Sequence, residues 1–273
     1  MTEQLFAERG ADRLAIQLYE RADAATAVLI VPAMGVPARY YDRFATALHE
    51  AGREVAVLDL RGAGASTPAV SRSSRADYAD LADDVGAVLD LLAERRAGRR
   101  TVLLGHSLGG QACVMHLARS GRTDVAALVL IAAGMPYWRA YGPTAWQAQL
   151  LRTAVTSVTA VLGFWPGWGF GGPQTAGVMG DWAHTSSTGE FPPRLGVTER
   201  LPELTLPTLV VTVDGDEHTP PAVVEKLTEL LVSAPVDREH ITAEFAGTKL
   251  DHFRWVKAAA PVAKVVLEWE AAH

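Results

Sequence analysis

Cysteine is nearly absent from this chain. Cys113 is the single one, so no intramolecular disulfide and no multi-cysteine metal site can form. A reducing compartment is therefore permitted. Basic runs are missing too. Only Arg95-Arg96 and Arg99-Arg100 stand together, and they read as a solvated helix end, where cations suit the dipole. With a net charge of −6, nucleic acid is not an expected partner. Long hydrophobic runs are lacking as well. No stretch reaches the roughly 18 apolar residues of a membrane span. Val155 to Trp165 comes nearest, and it contains Thr, Ser and Gly. Met1 to Gly10 carries Glu3, Glu8 and Arg9 without the apolar centre of a secretion signal. A cytoplasmic protein with no cofactor and no metal is the default expectation.

What is present is an ordinary globular composition, 49% hydrophobic and 21% charged over 273 residues. That length falls between one and two typical domains. Short apolar runs alternate with helical patterns. Leu14–Tyr19, Val28–Val31, Glu54–Leu60, Thr101–Leu104, Ala127–Ala133, Leu209–Val213 and His240–Phe245 read as strands. Several are continuous apolar runs, the mark of strands buried on both faces. Helices are expected over about Tyr40–Ala51, around Leu81–Leu92, over 107–119, around Val223–Leu231 and from about Phe253. The alternation predicts an α/β fold, a mostly parallel central sheet flanked by helices.

One interval breaks the rhythm. The 75 residues from Gly134 to Thr208 stand where one crossover helix would do. Structureless loops of that length are uncommon, so a helical cap inserted after the strand ending near Ala133 is expected. The core is then 1–133 and 209–273, and the cap 134–208. Leu150, Leu151, Ala154, Val155, Val158, Val161 and Leu162 form an apolar helical stripe within it. Five of the seven tryptophans lie there: Trp138, Trp146, Trp165, Trp168 and Trp182. Trp138, Trp146, Trp165 and Trp182 are candidate substrate contacts, with gluing the cap to the core as the plainer reading.

Gly105-His106-Ser107-Leu108-Gly109-Gly110 follows a strand and opens a helix. That context marks a nucleophile elbow. A sharp turn thrusts the serine side chain out, and glycines two residues either side relieve the crowding. His106 would point away from the point of attack. A serine hydroxyl needs a base, and the base needs an orienting carboxylate. Of the eight histidines, His49 and His116 fall in helices, His240 begins a strand and His273 is terminal. His252 lies between the last strand and the last helix, where the base belongs. His218 is a poorer candidate, and His184 falls in the cap. Asp214, Asp216 and Glu217 compete as the acid; Asp216, four residues before Pro220, is best placed. The oxyanion donors would be the backbone N–H groups of Leu108 and, in the turn after Val28–Val31, Met34.

These segments resemble the α/β-hydrolase superfamily, and within it a bacterial group of serine hydrolases. The carrying stretches are Pro32-Ala33-Met34-Gly35-Val36-Pro37-Ala38-Arg39-Tyr40-Tyr41, Asp59 to Ser66, Gly105 to Gly110, Asp216 to Pro221 and Asp251-His252-Phe253. The resemblance implies Ser107, Asp216 and His252 as a catalytic triad. This chain departs from the group at Gly215, where a second acid is usual, and at Asp251, where a glycine is usual; Asp251 could perturb the base. The resemblance is weakest in the cap.

The expected reaction is acyl transfer on a small, hydrophobic ester or thioester. Serine at the elbow, not aspartate, argues against a haloalkane dehalogenase or alkyl epoxide hydrolase. An acyltransferase, a same-fold lyase or haloperoxidase, and a non-enzymatic ligand receptor remain open. So does a homodimer.

Overall fold

A computed structural model describes residues 2–96 and 98–273, with side chains for all of these except residues 94 and 96. The Arg95-Arg96 reading therefore lies partly outside the described residues. The chain begins with an antiparallel hairpin, β1 (Thr2–Arg9) and β2 (Asp12–Tyr19), followed by β3 (Thr26–Val31). Then come α1 (Asp42–Glu50), β4 (Glu54–Leu58), α2 (Tyr78–Arg96), β5 (Arg100–His106), α3 (Leu108–Ser120) and β6 (Ala127–Ile131). The eight-stranded sheet runs β1-β2-β4-β3-β5-β6-β9-β10, where β9 is Thr208–Val213 and β10 is Val236–Ile241. From β4 to β10 every pairing is parallel. Every residue of β3, β4 and β6 is buried, as expected of strands covered on both faces. One apolar cluster joins α2 and α3 to one face of the sheet, and another joins α1 and the C-terminal helix to the other.

Between β6 and β9 lie a 3-10 turn at Trp138–Thr144, α4 (Ala145–Leu162), and the small pair β7 (Phe164–Trp165) and β8 (Gln174–Thr175). Next is α5 (Ala176–Thr188), whose first turn is capped by the Thr175 side chain accepting from Val178 N–H at 3.1 Å. Val155, Trp165, Val178, Met179, Trp182 and Phe191 continue the α2–α3 side of the core. After β9 come α6 (Pro221–Thr228), β10, α7 (Ala243–Ala246) and α8 (Ala259–Ala272).

Several expectations need correction. β1 is a strand that hydropathy does not announce. It is an edge strand, and edges tolerate charge such as Glu3 and Glu8. The last strand is Val236–Ile241, not His240–Phe245. As the other edge it exposes Asp237, Arg238, Glu239 and His240, while Thr242 caps a short helix by accepting from Phe245 N–H at 3.1 Å. Arg99 and Arg100 are no solvated helix end: Arg99 pairs with buried Glu54 at 2.8 Å and Arg100 opens β5. The α4 residues expected in a single stripe divide. Val155 is buried and Val158 half-buried, but Leu150, Ala154 and Val161 face outward, because this helix is apolar nearly all round.

Candidate active site

Ser107 stands between β5 and α3 with φ 54° and ψ −119°. A positive φ on a non-glycine residue is strain that the surrounding turn must enforce. A Cβ at Gly105 would run into the Gly110 backbone, and one at Gly109 into the carbonyl of Val31. The two glycines thus let strand, turn and helix pack backbone to backbone beneath the serine.

His252 arrives on the loop before Arg254–Ala258, and Asp216 on the loop after β9. The Ser107 hydroxyl lies 3.0 Å from His252 Nε2. His252 Nδ1 donates to Asp216 at 2.9 and 3.0 Å. Both imidazole and carboxylate are almost fully buried. Asp216 also accepts from the N–H groups of His218 and Thr219 and from the Thr219 hydroxyl. Burial by itself would raise the Asp216 pKa. The His252 hydrogen bond and charge, with the Thr219 donors, outweigh burial and hold it at about 2.

Leu108 opens α3, so its N–H lacks an intrahelical acceptor. The Met34 N–H has no acceptor among the described residues. Its turn is held from several sides. Ala33 N–H donates to the Tyr41 hydroxyl at 2.9 Å, and buried Asp59 accepts from Ala38 N–H at 2.5 Å and Ala65 N–H at 2.8 Å. The Asp59–Ser66 motif is thus a brace for the Met34 loop. Gly171 and Gly172, between β7 and β8, lie directly on Met34 and Gly35. A Cβ on Gly35 (φ 69°) would collide with the Gly171 carbonyl.

Two histidines that the sequence sets aside as the base nonetheless pack against it. His106 does point away from Ser107, but it is fully buried against His252. Its Nε2 donates to the His252 carbonyl at 2.9 Å, and its Nδ1 meets the Tyr41 hydroxyl at 2.7 Å. Burial, then the nearby His252 charge, holds its pKa well below the usual range. His218 stacks on His252 with centroids 4.8 Å apart and planes 18° apart. Burial and the neighbouring imidazole lower its pKa too. Only its place two residues after Asp216 could have signalled this.

The remaining candidates separate. Asp214 accepts from Ala243 N–H at 2.7 Å and contacts His240 at 3.0 Å, which occupies it away from His252. Gly215 has φ 70° and backs onto the Leu250 carbonyl, so an acid there would be strained. Asp251 accepts from the N–H groups of Phe253 and Arg254 at 2.9 and 2.8 Å, and so braces the His252 loop. Trp165 is buried, its indole N–H donating to the Phe170 carbonyl at 2.7 Å. Trp182 is buried against Phe170, their centroids 5.1 Å apart. Trp138 is half-buried with Arg139 over its ring, and Trp146 and Trp168 are exposed. His184 is half-buried. Cys113 is buried in α3 as a packing residue, its thiol pKa pushed up by burial.

The family described as "Serine aminopeptidase, S33" matches residues 22–165, more than half of the chain. The chain belongs to the serine aminopeptidase S33 family. The matched part of this S33 chain holds β3, the Met34 turn, the elbow and β6, while Asp216 and His252 lie beyond it. "Probable esterase PIR7A" of Oryza sativa subsp. indica is 35% identical over 109 residues, 40% of this chain and 39% of the relative. The S33 chain thus spans about two-fifths of the length of the curated relatives it matches. Among solved structures, a thermophilic esterase from Thermogutta terrifontis superposes with a TM-score of 0.67 at 19% identity, covering 100% of this chain and 98% of that one. The thioesterase domain from the curacin biosynthetic pathway gives 0.64 at 18%, covering 98% and 99%. These likenesses show the α/β-hydrolase fold. Among the described residues there is no helix long and apolar enough to cross a membrane, and no group of three or more His, Cys, Asp or Glu that could hold a metal ion.

Proposed function

We propose that this chain is a serine hydrolase that cleaves a carboxylic ester or thioester of a small hydrophobic substrate through an acyl-enzyme. The observation that carries the proposal is the connected path from Asp216 through His252 to Ser107, 2.9 Å and then 3.0 Å, ending on a serine with strained backbone.

In this reading His252 removes the Ser107 proton as Oγ attacks the acyl carbonyl. The Met34 and Leu108 N–H groups hold the oxyanion, which is worth about 3–4 kcal/mol per donor. Asp216 fixes the histidine tautomer and stabilises the imidazolium. His252 then protonates the leaving group, activates water and releases the acid. Residues 134–208 serve as a cap over the core of 1–133 and 209–273. Tyr141, in the turn before α4, donates to the His218 carbonyl at 2.9 Å, which ties this segment to the acid loop. The esterase named among the relatives supports ester chemistry.

The family name denotes peptidases that take a free amino terminus. Such a substrate brings an ammonium, for which carboxylates are the natural partner. From Val125 to Gly180 the chain has no Asp or Glu, which favours a neutral acyl group. The test pairs p-nitrophenyl esters of rising chain length with amino-acid p-nitroanilides, and follows the acyl-enzyme by intact mass. Ester turnover with an adduct on Ser107 is expected. Turnover of the anilides alone, or no Ser107 adduct with a fluorophosphonate, would overturn the reading.

A further inference from the structure

α4 is a surface helix that is apolar on both sides. Its inner side packs on α5 and β7, with Val155 and Thr159 buried. On the outer side Trp146, Leu150, Ala154, Ser157 and Val161 follow one another at spacings of four, four, three and four, and all five are exposed. At 100° per residue these positions share one face. Trp146 is 63% exposed, Leu150 62% and Val161 76%; Trp168, on the glycine-rich loop that follows, is 65% exposed. Leu151 is exposed beside them. Five of the eight exposed large hydrophobic residues among those described thus fall within 23 consecutive positions, 146 to 168. Scattered exposed apolar residues need no explanation, but a contiguous patch does.

The charge carried by this stretch of chain has one sign. From Val125 to Gly180 the chain runs 56 residues without a carboxylate, although it holds 31 Asp and Glu in all. The charged residues in that interval are Arg139, exposed in the turn before α4, and Arg152, half-buried towards the inner side of the helix and bonded to Gln149. Arg72 comes from the loop before α2 and lies against Gly163 at the end of α4, its Cγ 2.8 Å from where a Cβ would stand. Arg72 and its neighbour Arg75 are exposed. The carboxylates that flank the interval in the chain are already engaged: Asp124 pairs with Arg122 and Asp181 with Arg194.

We infer that the outer face of α4, together with the exposed Trp168 of the loop that follows it, docks on the surface of an anionic lipid bilayer. An exposed apolar stripe that starts at a tryptophan, with an exposed arginine before the helix and another at its end, suits the headgroup boundary. Indole is apolar in body and polar at its N–H, which fits that depth. A second copy of the chain suits the face less well. A two-fold dimer would set the same patch against itself. Arginines would then meet arginines, with no carboxylate from this interval to separate them. An anionic surface meets no such repulsion from the exposed Arg72 and Arg139. The docking face stands independently of the chemistry at Ser107.

The test is co-sedimentation of the full chain with sucrose-loaded vesicles, either phosphatidylcholine alone or phosphatidylcholine with an equal amount of phosphatidylglycerol. Binding to the mixed vesicles is expected, weak binding to phosphatidylcholine alone, and release at high salt. The double variant Leu150→Asp/Val161→Asp should bind the mixed vesicles at least tenfold more weakly. Arg72→Glu, at an exposed position beside the end of α4, should weaken binding on the order of fivefold. Both variants alter outward positions, so thermal melting and turnover of a short water-soluble ester should stay at wild-type values. No co-sedimentation of the wild type at millimolar lipid would overturn the inference, as would equal binding to both vesicle types. So would a dimer by light scattering that Leu150→Asp/Val161→Asp dissociates, which would assign the face to a second copy of the chain.

Discussion

The buried ring of His106 joins the hydroxyl of Tyr41 to the backbone of His252. Tyr41 Oη lies 2.7 Å from Nδ1, and Nε2 lies 2.9 Å from the His252 carbonyl. A carbonyl can only accept, and at 2.9 Å it is nearer than the Trp255 indole N–H, 3.3 Å from the same nitrogen; Nε2 therefore carries the proton and Nδ1 takes a hydrogen bond from Tyr41. The Tyr41 oxygen in turn accepts from Ala33 N–H, one residue before the proposed oxyanion donor Met34. A single chain of hydrogen bonds therefore couples the oxyanion turn to the loop bearing the proposed base.

Tyr41→Phe tests that coupling. It strips a partner from the Ala33 N–H and from His106 Nδ1, each costing about 1–3 kcal/mol when left unsatisfied. We expect a lower urea midpoint and a kcat reduced on the order of tenfold, with KM little changed. A variant that loses stability but keeps wild-type kcat would confine Tyr41 to a structural part.

Ser107 separates chemistry from strain. Ser107→Ala should lower kcat by on the order of 10⁴ or more and abolish fluorophosphonate labelling, with the fold unchanged by circular dichroism. Ser107→Gly should be equally inactive but more stable than Ser107→Ala by about 1 kcal/mol, because glycine accepts the φ of 54°. Equal melting temperatures for the two variants would show that the elbow carries no strain.

Asp216 predicts a pH signature. Its folded pKa is held at about 2, below the value of about 3.9 for an unfolded Asp. The unfolded chain therefore takes up this proton first as pH falls. The stabilisation is complete above about pH 4 and is lost as pH falls through about 2. Asp216→Asn should be less stable than wild type by about 2 kcal/mol at pH 6, and the gap should narrow from pH 4 towards pH 2. Its kcat should fall on the order of 10³–10⁴, as the wrong histidine tautomer is held. Urea titrations at stepped pH measure the first effect; a gap independent of pH would contradict the ionised buried carboxylate.

Gly35→Ala probes the proposed oxyanion turn. The new methyl would meet the Gly171 carbonyl at a backbone φ of 69°. Turn and glycine-rich loop must shift apart and carry the Met34 N–H with them. A kcat loss of about 10²-fold is expected, with Ser107 still open to labelling by a small fluorophosphonate because its contact with His252 is untouched. Wild-type kcat in this variant would remove Met34 from the mechanism.

The interior strands were legible because burial on both faces requires continuous apolar runs, as in Val28–Val31 and Ala127–Ile131. The two edge strands were not. β1 and β10 carry Glu3, Glu8, Asp237 and Glu239, since an edge exposes its side chains to water. Outward and inward positions on α4 were likewise indistinguishable, because apolar residues occupy both.

At the site, local chemistry was readable. Gly105-His106-Ser107-Leu108-Gly109 specifies its own elbow, since only glycines fit a turn that tight and a serine is left at its apex. Asp216 and His252, the proposed acid and base, could be singled out as candidates by their place after β9 and before the final helices. What residue order alone could not express was distance across the sheet. His106 and Tyr41 are 65 residues apart, and His218 stacks on His252 only because two loops converge at the same end of neighbouring parallel strands. Sequence determined which groups are candidates for the proposed chemistry, through short-range turn geometry. Tertiary structure decided which of them meet, how the Met34 turn is braced, and which face of α4 is left bare, because those depend on packing between segments far apart in the chain.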